Sequence, residues 1–200
     1  MAIDTLIFDL GGVLVLTMWE RVTGPWAALS GLTGDEVWER ILAGDAYRPF
    51  MTGEIDRAEF HRRMCSSLGV DEPADAMFET WSSAIVANAA IAPLIARLAR
   101  RYRLIVGSNT DELHYARGQE VQPALAQFDD AILSYRLGVL KPSATFFERG
   151  LQELGATPDQ CFFTDDRQDN VEAARRTGIE AVRFESVPGL EVHLKSTGLL

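Results

Sequence analysis

The sequence predicts an α/β protein, a doubly wound, Rossmann-like parallel sheet with an inserted small α-helical cap. Three observations carry that expectation. Short apolar runs bounded by glycine or polar residues recur along the chain, helical patterns alternate with them from about residue 90, and one long stretch, 16–89, holds helical patterns only. A run that is apolar throughout, rather than at alternate positions, suits a strand buried on both faces of a parallel sheet.

The first run, Thr5-Leu6-Ile7-Phe8-Asp9, ends in a carboxylate ahead of Gly11-Gly12. Between 16 and 89 no strand is predicted. Asp56 followed by Glu59 resembles a capping box there, and Gly69 ends the helix it would start. Trp19, Trp26, Trp38 and Trp81 all fall in this stretch and are expected to pack a small helical core. Further strands are expected at 103–107, 131–133, 161–164 and 181–184. Ser143 is placed to cap a helix carrying Phe146, Phe147, Leu151 and Leu154, which stops at Gly155. Another helix, from about 169 to 177, stops at Gly178. Alternating strands and helices imply right-handed crossovers, and an insertion after the first strand sits over the carboxyl ends of the strands. The expected organisation is a discontinuous core, 1–15 and 90–200, with 16–89 as the cap.

At 200 residues, 47% of them hydrophobic, the chain can bury a substantial core. Nineteen Lys plus Arg against 29 Asp plus Glu give a net charge of −10, which argues against nucleic acid or an anionic membrane as the main partner. An acidic chain that binds phosphate also needs local positive charge, from a cation or a placed lysine. Cys65 and Cys161 are far apart, in no metal-ligand pattern, and are expected to be reduced and mostly buried. There is no leader-like segment and no apolar run of membrane-spanning length, so a cytoplasmic protein is expected.

Ligands of open α/β sheets bind outside the carboxyl ends of the strands. The residues there are Asp9, then Ser108-Asn109-Thr110, then Lys141-Pro142 after the third strand, then Asp165-Asp166. Each has an ordinary reading alone: a turn aspartate, a turn hydroxyl, a surface lysine, a helix cap. Their order and shared location point to one crevice. Three carboxylates in a crevice raise one another's pKa unless a cation intervenes, and carboxylates with phosphate oxygens suit Mg²⁺. Lys141 offers a point charge for a phosphate or for the nucleophile, while Ser108 and Asn109 offer donors to phosphate oxygens. The chemistry this implies is phosphoryl transfer to a carboxylate, followed by hydrolysis.

At these residues the chain resembles the haloacid dehalogenase-like hydrolases. Phe8-Asp9-Leu10-Gly11-Gly12-Val13-Leu14 is similar to their first motif, Ser108-Asn109-Thr110 to the second, Lys141-Pro142 to the third and Phe163-Thr164-Asp165-Asp166 to the fourth. The segment from Met51 through Phe60 resembles the small helical caps of sugar-phosphate phosphatases and of the phosphatase domain of epoxide hydrolases. The resemblance implies an Mg²⁺-dependent phosphatase of a small phosphorylated metabolite, sugar phosphates among the candidates. In it Asp9 is nucleophile and metal ligand, and the Gly11 carbonyl and Asp166 are further ligands. Asp165 binds the metal or supports its waters, and Ser108, Asn109 and Lys141 hold the phosphate. One departure stands out. Family phosphatases usually carry an acid–base aspartate two residues after the nucleophile, where this chain has Gly11.

Two rivals follow. A 2-haloacid dehalogenase would use Asp9 on carbon without a metal, although its relatives carry an aromatic where Gly11 stands. A catalytically silent binding member of the fold would have no need of Asp9, Lys141 and Asp166 together. A phosphomutase would need the missing acid–base residue. His61, His114 and His193 lack ligand-like spacing and, like Asp111 and Glu112, are expected in surface or helix-face roles. Tyr47, Arg48, Trp19 and Arg21 are cap candidates to reach the substrate, with packing or surface roles expected for each.

Overall fold

The computed structural model describes residues 3–200. In chain order the strands are β1 (Thr5–Phe8), β2 (Val15–Thr17), β3 (Ile85–Ala87), β4 (Arg103–Ser108), β5 (Asp130–Leu133), β6 (Cys161–Asp165) and β7 (Glu180–Arg183). Five of them form a wholly parallel sheet in the order β5-β4-β1-β6-β7. Alternation explains their unbroken apolar character. Leu6, Phe8, Leu104, Val106 and Phe162 belong to one buried cluster, while Ile7, Ile105, Ile132 and Phe163 belong to another.

The helices are α1 (Glu20–Ser30), α2 (Gly34–Ala43), α3 (Tyr47–Met51), α4 (Arg57–Leu68), α5 (Ala74–Ser82), α6 (Ala92–Leu98), α7 (Glu112–Val121), α8 (Ser134–Leu137), α9 (Ala144–Leu154), α10 (Gln168–Arg176) and α11 (Val187–Ser196). Leu94, Ile95 and Leu98 of α6 and Leu190 and Leu194 of α11 pack into the first cluster. Phe146, Phe147, Leu151 and Leu154 of α9, with Val171 and Ala174 of α10, fill the second. The chain runs from β1 to β4 and β5 on one side, then crosses to β6 and β7 on the other. That reversal leaves a crevice at the carboxyl end of β1, the place such sheets bind ligands.

Helices α1 to α5 gather around their own apolar cluster, with Trp26 and Trp81 fully buried and stacked at 5.9 Å, and Trp19 and Trp38 partly buried against it. The expectation that 16–89 lacks strands is corrected. β2 and β3 pair antiparallel where the chain leaves and returns to the parallel sheet, with Leu16 opposite Val86. Three residues each are too few to show alternation, and the pairing joins segments about 70 positions apart, so no local pattern announces it.

Helix ends follow the sequence in part. Gly69 and Gly155 adopt left-handed conformations and close α4 and α9. Asp56 accepts from the Glu59 amide at 2.8 Å, but the Glu59 carboxylate turns to Arg62 and Arg63, so only half of the capping box forms. Ser143 holds the cap position of α9 without a side-chain cap bond, and that helix is anchored by its buried phenylalanines instead. Both cysteines are free, and burial pushes the Cys161 thiol up to about 11. Among the described residues no helix is long and apolar enough to cross a membrane.

Candidate active site

Parallel register builds the site. Phe8 lies opposite Val106 of β4 and Thr164 of β6, and the Asp9 amide donates to the Thr164 carbonyl at 2.9 Å. One step further along, Asp9 therefore stands level with Gly107 and Asp165. Lys141 arrives from the loop after α8 and is 4% exposed. Its Nζ donates to the Gly107 carbonyl at 2.7 Å and to Asp165 Oδ2 at 2.6 Å, and lies 3.0 Å from Asp9 Oδ1. Three ammonium hydrogens meet three acceptors. Of the two uses the sequence left open for Lys141, the geometry favours holding the carboxylates.

Asp165 is fully buried and saturated. Besides Lys141 it accepts from the Arg167 amide at 2.9 Å and from Asn170 Nδ2 at 3.0 Å on both oxygens. Asp166, half-buried beside it, has no side-chain hydrogen-bond or ion-pair partner among the described residues. The Gly11-Gly12 turn passes close beneath it. Gly12 sits at φ +74°, and a Cβ there would stand 2.5 Å from Asp166 Oδ2, so both conformation and clearance require glycine.

Burial pushes the Asp9 carboxyl up to about 7, with Asp165 adding to the rise against the opposing pull of Lys141 and the Ser108 hydrogen bond. Burial and the Asp165 charge also raise Asp166. One ligand oxygen from each of Asp9, Asp165 and Asp166 lies within 4.8 Å of the others. Such a set, short of positive charge and rich in hard oxygens, fits a divalent cation. Asn170 adds a second sign. Its Oδ1 is buried and finds no hydrogen-bond partner among the described residues, although its amide orientation is fixed by Asp165. An acceptor of that kind suits an ion's water.

The Asn109 side chain, expected to face phosphate, lines the same cavity as Asp9 and Lys141 and also engages the Lys141 backbone: Nδ2 donates to the Lys141 carbonyl at 2.9 Å and Oδ1 accepts from the Lys141 amide at 2.8 Å. It fixes the lysine loop to the end of β4. Asp111 and His114, expected in surface or helix-face roles, are buried. Asp111 Oδ2 lies 2.9 Å from His114 Nδ1 and accepts from Trp81 Nε1 at 3.1 Å, while His114 Nε2 lies 2.9 Å from the Trp81 carbonyl. This network ties α7, which follows the Ser108 strand, to the last helix before β3. Asn170, absent from the expected site residues, has a signal in the sequence: a polar side chain on the otherwise apolar buried face of α10.

Both His114 nitrogens face acceptors, which favours the imidazolium. Burial alone would lower His114, but the Asp111 charge and hydrogen bond overcome it and hold the ring above its ordinary 6.5. Against its own burial, Asp111 is held below 3.8 by His114 and its other donors. The histidine's contribution is complete below 6.5 and is lost as pH rises through its higher folded value. The aspartate's is complete above 3.8 and is lost as pH falls through its lower one. The stability difference between the wild type and His114→Asn is therefore expected to be largest between about pH 4 and 6.5, and to shrink in thermal unfolding as pH rises beyond it. A difference independent of pH would contradict the ion pair.

A cavity of about 560 Å³ opens in front of these groups. Asp9, Gly11, Asn109, Lys141, Asp166 and Asn170 line it, together with Trp19 and, from α3, Tyr47. Arg21 and Arg48 are not among its lining residues.

Buried carboxylates and a lysine are thus gathered at the switch point of a parallel sheet. The chain belongs to the haloacid dehalogenase-like hydrolases, whose family model matches residues 3–178. It is 28% identical over 188 residues to phosphatase MT3486 of Mycobacterium tuberculosis, covering 90% of this chain and 87% of that protein. It is 24% identical over 175 residues to sesquiterpene phosphatase astK of Aspergillus oryzae, covering 86% and 85%. It spans only 18% of mouse acyl-CoA dehydrogenase family member 10, to which it is 26% identical over 191 residues, 90% of this chain. A haloacid dehalogenase-family enzyme of Bacteroides thetaiotaomicron, solved with magnesium and inorganic phosphate, shares the fold with a TM-score of 0.85. It is 24% identical, with 94% of this chain and 99% of that one covered.

Proposed function

We propose that this hydrolase is an Mg²⁺-dependent phosphatase of a small phosphorylated metabolite, working through an aspartyl-phosphate on Asp9. The observation that carries the reading is the buried Asp9 carboxylate beside Lys141, with Asp165 and Asp166 converging on it. Asp9, Asp166 and the Gly11 carbonyl would hold Mg²⁺, with Asp165 supporting them. When bound, the ion offsets the carboxylate charges and draws negative charge from the phosphoryl oxygens. Division into a core (1–15 and 90–200) and a cap (16–89) belongs to the same reading.

In the first half-reaction an Asp9 oxygen attacks phosphorus, and the bond from phosphorus to the leaving oxygen breaks. Lys141, 3.0 Å from Asp9, and the Ser108 hydroxyl oppose the effect of burial and favour the ionised form of this carboxylate. Water then attacks phosphorus, releasing phosphate and restoring Asp9. Position 11 has no acid to protonate the leaving oxygen, and a side chain begun there would meet Thr17 Oγ1 at 3.3 Å. The leaving oxygen must draw its proton from water, so esters of weakly basic oxygens should react fastest; a positioned acid typically contributes about 10²–10⁴-fold. Phosphate release from p-nitrophenyl phosphate, sugar 1-phosphates and sugar 6-phosphates, with and without Mg²⁺, tests this. Loss of activity in EDTA and slowest turnover of the 6-phosphates are expected; equal rates on all three would refute the leaving-group argument. Chloride release from a 2-haloacid in EDTA would instead favour the dehalogenase reading.

Gly12→Ala should weaken the site through Asp166. The left-handed conformation costs a non-glycine residue roughly 1–2 kcal/mol, and the added methyl displaces the carboxylate. An Mg²⁺ titration of phosphate release is expected to show apparent affinity lower by about 10–100-fold, as for lost ligand orientation. An unchanged titration would remove Asp166 from the proposed ligand set.

A further inference from the structure

Apolar and aromatic side chains share the cavity lining with the polar groups: Leu16, Met18, Trp19, Tyr47 and Met51. Leu16, on the β2 edge, is 43% exposed, an apolar side chain left in water at the mouth of a polar site. Trp19 is held by neighbouring rings, 4.7 Å from Trp38 and 5.6 Å from Trp81, so its surface is a fixed wall. The two methionines are adaptable and fill against irregular apolar shapes.

The charges complete the picture. Besides Lys141, Arg167 is the cation among the lining residues. Its guanidinium is engaged by Asp169, with Nε 3.2 Å from Oδ1 and Nη2 2.8 Å from Oδ2, while the Lys141 donors are committed to Asp9, Asp165 and the Gly107 carbonyl. Among the described residues, no cation without an ion-pair partner lines the cavity to receive a second anionic group. The nearby aspartates would repel one.

We infer that the leaving group this site accepts is uncharged and mainly hydrocarbon, packed between the Leu16–Trp19 edge and the Tyr47 and Met51 side chains. The inference rests on the phosphatase reading and narrows it: phosphate esters of apolar alcohols or phenols are favoured over sugar bisphosphates and phosphorylated acids.

Phenyl phosphates with para substituents separate this from leaving-group chemistry, because methyl, butyl and 2-carboxyethyl chains change the phenol's acidity very little. With Mg²⁺ present, kcat/KM is expected to rise about tenfold from methyl to butyl, roughly twofold for each added methylene and less than a fully buried one would give. The carboxyethyl ester should fall at least about tenfold below the butyl ester, an unpaired charge being left against apolar walls. Leu16→Ser should shrink the butyl-to-methyl ratio, and Met18→Ser serves as an independent second variant. A flat chain-length dependence, or a carboxyethyl ester as good as the butyl one, overturns the inference while leaving the phosphatase reading intact. Failure of phenyl phosphate itself to be hydrolysed would end both.

Discussion

Asp9→Asn is expected to abolish phosphate release, by at least about 10⁴-fold as for loss of a nucleophile, and to leave the fold standing. The two outcomes have one cause. Burial raises the Asp9 carboxyl to about 7, so its ionised form is costly in the folded state without a divalent ion. Between the ordinary 3.8 and that raised value the folded chain holds a proton that the unfolded chain has released, and stability falls as pH rises through this window. The neutral amide removes that cost. Thermal unfolding in EDTA above pH 7 should therefore find Asp9→Asn at least as stable as the wild type. An Asp9→Asn protein that unfolds well below the wild type would mean that position 9 is structural. One that still releases phosphate would end the mechanism.

The opposite balance is expected for Lys141→Met, which should cost both activity and stability. The ammonium is enclosed by Asp9, Asp165 and the Gly107 carbonyl, and despite its burial the two carboxylates hold it above its ordinary 10.5. Its stabilising effect is complete below 10.5 and is lost only as pH rises through its still higher folded value, so neutral solution sees all of it. Removing one partner of a buried ion pair typically costs about 3–5 kcal/mol, because the other charge is left uncompensated. For a chain of this size that corresponds to a fall in Tm on the order of 10 °C. The deficit should shrink as pH falls below about 7 and the Asp9 carboxyl takes up its proton. It should also be smaller than the sum of the single effects when combined with Asp9→Asn, since the two residues touch. A loss of less than about 1 kcal/mol, the range of exposed pairs, would show that Lys141 is not the counter-ion the geometry implies.

What the sequence made legible follows from where information lies along a parallel sheet. Each strand is a local apolar run, and the residue after it lands at the carboxyl edge. Asp9, Ser108, Asp165 and Asp166 could therefore be assigned to one crevice without any knowledge of contacts. Side-chain direction was less legible. Asn109 lies at the right strand end, but the sequence does not show that its amide also pairs with the Lys141 backbone, a pairing set by the path of a loop 32 positions away. The Asp111–His114 pair looked like helix surface because α7 carries polar residues on most sides. Its burial comes from Trp81, a residue of α5. Likewise, nothing in five residues of α3 tells which side Tyr47 takes and which Arg48 takes. The β2–β3 ribbon was invisible for the same reason, being made by two distant segments too short to have a pattern.

The most direct test of the account is the fate of phosphorus during turnover. Acid quenching of the protein with Mg²⁺ and a fast substrate such as p-nitrophenyl phosphate, followed by peptide mass spectrometry, should find a base-labile phosphoryl group on the side chain of Asp9. Its formation should keep pace with the first release of p-nitrophenol. Steady release of phosphate with that peptide never modified, or with the phosphoryl group on another residue, would contradict the claim that this carboxylate is the nucleophile.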